Sequence, residues 1–76
     1  MSEQVMGMRD LQVRAEKIRA QVCLQKDRYG RPFVSVGWMR NETWDEIWIP
    51  RHSHRAYTRA RRMAAAILDV LKKEAK

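Results

Sequence analysis

The stretch RHSHRAYTRARR, from Arg51 to Arg62, carries five arginines and two histidines without a single acid. Guanidinium groups at this density suit anions, because each presents a rigid fork of donors that matches phosphate or carboxylate oxygens. The acid-free interval extends from Ile47 to Leu68, so the formal net charge of +7 is concentrated rather than spread. It also falls where a helix is expected to begin, where free N–H groups and the helix dipole favour negative charge. Arg51, His52, His54, Arg55, Arg59 and Arg62 are therefore the candidate residues for binding an anion or a nucleic acid. A plainly solvated basic face, or ion pairs to Asp10, Asp45 and Glu46, would account for the same residues without a ligand. Against that, Arg55 with Arg59 and Arg55 with Arg62 are like-charge neighbours on a helix, each costing about 0.2–0.5 kcal/mol, and a bound anion would offset the cost.

Other chemistries find less support. His52, His54 and the lone Cys23 supply three ligands without the paired spacing of a zinc site, so no metal is expected. Asp45 and Glu46 are adjacent on an expected strand and so point to opposite faces, which prevents a shared acid/base site. There is no Ser-His-Asp order and no glycine-rich phosphate loop. The expectation is a binding protein, not an enzyme, with no cofactor.

The bounds set by composition agree. A chain of 76 residues makes one domain, and at that size only about 60% of the unfolded surface is buried, too little for a large enclosed active site. With 45% hydrophobic and 33% charged residues the chain is globular rather than disordered. One cysteine allows no internal disulfide and suggests a reducing compartment, so the cytoplasm is the expected location. No apolar run approaches the roughly 18 residues needed to cross a bilayer, and the N-terminus lacks a secretory pattern. The expected organisation is a flexible N-terminus over 1–7 and a single α+β domain over 8–76.

The elements that must position the basic residues follow from periodicity. Met8, Leu11, Ala15, Ile18 and Val22 recur at helical spacing, while Ile18, Ala20, Val22 and Leu24 alternate as a strand does, so a helix gives way to a strand near Ile18 to Ala20. A short strand over Leu11 to Ala15 is the lesser alternative. Gly30, in Asp27-Arg28-Tyr29-Gly30-Arg31, stands where a three-residue hairpin loop needs a left-handed residue. Pairing Asp27 with Arg31 then sets Leu24 opposite Val34, Val22 opposite Val36 and Ala20 opposite Trp38. A loop at Asn41-Glu42, of two residues or of four with the same parity, sets Val36 against Ile47 and Val34 against Ile49. Pro50 closes the third strand and Ser53 caps a helix with an apolar stripe at Tyr57, Ala60, Ala64, Ile67 and Leu71, supported by Met63 and Val70. Arg55, Arg59, Arg62 and Lys73 fall opposite that stripe. The expected fold is thus a small α+β domain in α-β-β-β-α order, its three-stranded antiparallel sheet packed against the C-terminal helix.

The same register places Phe33, Met39, Trp44 and Trp48 on the sheet face away from the C-terminal helix, with Gln21, Cys23, Ser35 and Glu46. Such an aromatic face can stack bases, bury itself in a partner protein or a homodimer, or lie beneath the chain's own N-terminal segment.

The element order resembles that of the double-stranded RNA-binding domain, which would imply that Arg55, Arg59 and Arg62 hold phosphates from the start of the last helix. The likeness is one of topology: the first turn reads DRYGRP instead of Gly-Pro-x-His, and the Lys-Lys-x-Ala-Lys signature is absent. A sheet backed by a helix is also similar to the DNA-binding domains of plant AP2 factors and some phage integrases, which would put Trp44 and Trp48 on a reading face. Order alone assigns the chain to neither. The leading expectation is a small nucleic-acid-binding protein contacting phosphates through Arg51, Arg55, Arg59 and Arg62, with a log K against log[salt] slope near −3.6 if about four phosphates are neutralised. The rival is a small interaction or inhibitor protein, of a kind mobile elements encode, docking on an acidic protein surface through the same arginines and the Trp-bearing face.

Overall fold

In a computed structural model that describes residues 6–74, the chain runs α1 (Met8–Lys17), β1 (Ala20–Lys26), β2 (Pro32–Arg40), β3 (Thr43–Pro50) and α2 (His54–Glu74). The strands form one antiparallel sheet with β2 in the centre and β1 and β3 at its edges. Most of the expected flexible stretch, residues 1–5, lies outside the described residues. Of the remainder, Gly7 caps α1 and Met6 is half-buried against the core.

Turn chemistry sets the register. The Asp27 carboxylate accepts hydrogen bonds from the backbone N–H groups of Tyr29 (2.8 Å) and Arg31 (2.9 Å), and Gly30 takes φ 77°. This three-residue loop pairs Leu24 with Val34, Val22 with Val36 and Ala20 with Trp38, as the alternation predicts. The second loop is the two-residue form. Arg40 pairs with Thr43, and Asn41 and Glu42 both sit in the left-handed region at φ 50° and 67°, the twist that a tight hairpin requires. Val34 therefore faces Ile49 and Val36 faces Ile47. The first helix ends at Lys17, and Arg19, at φ 58°, turns the chain into β1. Leu11 to Ala15 is helix, not strand.

Both helices pack on one face of the sheet. The core joins Leu11 and Ala15 from α1, Ala20, Val22, Val34, Val36 and Ile49 from the sheet, and Ala60, Ala64 and Leu68 from α2. Coverage of the opposite, Trp-bearing face by the N-terminal segment is therefore not what α1 provides, because its apolar side is spent on the same layer as α2. The α2 stripe falls where its spacing puts it, with Ala60 and Ala64 buried and Tyr57, Ile67 and Leu71 packed against the core, and differs from expectation only at its edges. Its buried row is Ala56, Ala60, Ala64 and Leu68, whereas Met63 and Val70 are exposed. At roughly 100° per residue, Leu68 lies on the flank of α2 that carries Arg61, with Asp69 further round on the outer side. That flank meets the N-terminal part of the chain: Arg61 donates to the Met6 carbonyl and Arg14 pairs with Asp69. Met63 and Val70 lie on the other flank, where no second helix stands. The two helices do not reach across the whole sheet, and Leu24 and Ile47 remain about half exposed on the packed side.

Candidate functional site

The basic segment enters α2 through a defined cap. The backbone N–H of Ala56 donates to Ser53 Oγ at 3.0 Å and that of Tyr57 to the Ser53 carbonyl at 2.9 Å. The first turn contains no acid to complement the helix dipole. Around it, His52, Ser53, His54, Arg55, Thr58, Arg59 and Arg62 line an open depression of about 660 Å³. The two histidines and three arginines are exposed. Among the described residues the ion pair found is Arg14 with Asp69, so the alternative pairing of these arginines with Asp10, Asp45 or Glu46 is not formed there.

Arg51 stands apart from this group. Its guanidinium lies over the Tyr57 ring, 5.5 Å from the centroid, and that of Arg61 lies over the same ring at 4.7 Å. Cation–π contact and burial of the stem hold both against the body of the protein. The candidate anion site is thus His52, His54, Arg55, Arg59 and Arg62, with Arg51 beside it.

The opposite sheet face is uncovered by any described element, and its aromatic groups are ordered by two residues that the sequence reading did not single out for this role. Gly37 is the first. A Cβ built there would fall 2.2 Å from Cζ2 of Trp44, so the indole lies against the β2 backbone in space that only glycine leaves open. Glu46 is the second. Its Oε2 accepts from Trp44 Nε1 at 2.9 Å and its Oε1 from Trp48 Nε1 at 2.6 Å. These two bonds, that from Trp44 foremost, hold the Glu46 carboxyl below the usual carboxylate range, against a small opposing effect of desolvation. Trp48 in turn stacks on Phe33 with ring centroids 4.6 Å apart and planes 24° from parallel. Phe33 is buried beneath it, while Trp44, Trp48 and Met39 are exposed by about half. The signal for this arrangement was present in Trp44-x-Glu46-x-Trp48, three residues on one strand face with Gly37 directly across from the middle one.

The two surfaces meet. A second open depression, of about 560 Å³, is floored by Phe33, Trp48, Pro32 and Pro50 and rimmed by Asp27, Arg31 and His52. His52 lines both depressions, so the aromatic shelf around Trp48 leads directly to the basic start of α2. No group of three His, Cys, Asp or Glu side chains suited to a metal occurs among the described residues, and Cys23 is a free, half-buried thiol. No described helix is long and apolar enough to cross a membrane. Compared with family models, with curated proteins and with solved structures, the chain matches none.

Proposed function

We propose that this chain is a small basic nucleic-acid-binding protein that holds backbone phosphates at the start of α2 through Arg55, Arg59 and Arg62, with His52 and His54 at the rim. The observation that carries this reading is the convergence of those five side chains on one open depression at a helix N-terminus, with no acid in its first turn. Phosphate there would relieve both the mutual repulsion of the arginines and their unfavourable position near the positive end of the helix dipole. Contacts of this kind read charge rather than sequence. With Arg51 placed over Tyr57, three arginines remain for phosphate, and log K against log[salt] on duplex DNA is expected to slope near −2.7. Arg55→Ala combined with Arg59→Ala should remove about two-thirds of that slope. Filter binding over a salt series measures it, and a slope indistinguishable from zero would sink the reading.

A second reading is favoured by a separate observation, the uncovered face carrying Met39, Trp44 and Trp48. A small interaction or inhibitor protein would use that face as its energetic centre and the arginines to steer an acidic partner into place. In that case Trp44→Ala, made at a half-exposed position, abolishes binding of the partner and leaves retention of duplex DNA unchanged. Retention that falls in parallel with partner binding would count against it.

A further inference from the structure

Both indole N–H groups on the open sheet face are already committed to Glu46. The underside of Trp44 rests on Gly37 and that of Trp48 on Phe33. What each indole still offers is one flat π face. Two pre-oriented π faces whose indole donors are already spent suit a flat aromatic partner, and fixing the rings in advance lowers the ordering cost of binding. Trp48 is the better placed, because the depression beside it, whose rim also carries Arg31 and Asp27, runs through His52 into the basic start of α2. A ligand that fills both places has a flat ring next to an anionic group, with the positive charge of the α2 depression beyond the His52 end of the ring.

We infer that the Trp48 shelf and the α2 depression together bind single-stranded nucleic acid, one unpaired base stacking on the exposed face of Trp48 while the adjoining phosphates lie between His52, Arg55 and Arg59. The inference rests on the phosphate reading of α2 proposed above and narrows its ligand. A duplex keeps its base faces inside the stack, whereas a single strand exposes them, and stacking on aromatic side chains beside a basic groove accepts any base. An acidic polypeptide matches the arginines but has no regular alternation of anion and flat ring. The Glu46 charge, turned toward the two indole N–H groups, serves as the clamp of the platform and lies away from the His52 end of the shelf.

Fluorescence anisotropy separates this inference from the one beneath it. Labelled oligo-dT, oligo-U, an abasic strand and a duplex, all of equal length, present phosphates with and without accessible bases. Either base-bearing strand is expected to bind at least about fivefold more tightly than the abasic strand, the least that one stacked base contributes. It should also quench the intrinsic tryptophan emission. Trp48→Leu should erase that preference and leave the abasic strand and duplex bound as before, and Trp48→Phe should keep part of it. Trp48 is 57% exposed, so both variants retain the core, and a thermal melt checks that they do. Equal affinity for base-bearing and abasic strands, with salt-dependent binding of both, would overturn the stacking inference alone. Absence of binding to every strand would overturn the phosphate reading as well. Concentration-dependent dimerisation that Trp48→Leu abolishes, without any base preference, would assign the face to a second copy of the chain, and binding of an acidic protein without any strand would assign it to that partner.

Discussion

A single carboxylate governs the geometry of the exposed aromatic face. Glu46 has two oxygens and two indole donors, one each side along the strand, and needs no other partner to orient both rings. Hydrogen bonds to the ionised form lower its affinity for protons, and the linkage then has a definite sign. The folded state holds the proton more weakly than the unfolded chain does. The clamp thus contributes fully above the ordinary glutamate range and is lost as the pH falls through the lower folded value. Acid titration followed by near-ultraviolet circular dichroism of the tryptophans should show a transition below that ordinary range. Glu46→Gln should abolish it and give the acid-form spectrum at all pH values, since the amide has one acceptor oxygen for two donors. A transition centred at or above the ordinary value would mean that the indoles are held by something else.

At the scale of the elements, the two hairpins follow different rules. Gly30 supplies the left-handed residue of the first loop at no steric cost, whereas Asn41-Glu42 closes the second with two non-glycine residues at positive φ. Asparagine tolerates that region; glutamate gains nothing from it. Glu42→Gly should stabilise the protein by about 0.5–1 kcal/mol, read as a rise in the denaturation midpoint at unchanged m-value, and a fall would show that the Glu42 side chain contributes more than its backbone costs. The register of both hairpins was legible because parity leaves little choice: a slip of one residue would turn either Val22 on β1 or Val34 and Val36 on β2 away from the helices. The cap at Ser53 and the change from α1 to β1 were legible for similarly local reasons. The edges of the α2 stripe were not. Tyr57, Ile67 and Leu71 span a broad apolar arc, and whether its edge includes Leu68 or Met63 is decided by where α1 stands, which is a long-range matter.

The molecule as a whole is a slab, 39 × 35 × 16 Å, with two helices on one broad side and none of its described elements on the other. Its charge is as unevenly placed as its helices. The basic residues around His52 were recognisable from their clustering along the sequence, and the membership of the aromatic face from the strand register. That Arg51 leaves the cluster for Tyr57 was not recognisable, because a cation–π contact reaching from one side of a turn to the next has no periodic signature. Nor could spacing reveal that the two surfaces share His52, which depends on the chain doubling back from β3 into α2 above the end of the sheet. The Trp44 indole lying over Gly37 has a consequence for descent. Positions 37 and 44 form one inherited choice instead of two, since any side chain at 37 evicts the ring and any smaller residue at 44 frees the glycine from its constraint. Among relatives of this chain, position 37 should depart from glycine only where position 44 has already lost its tryptophan.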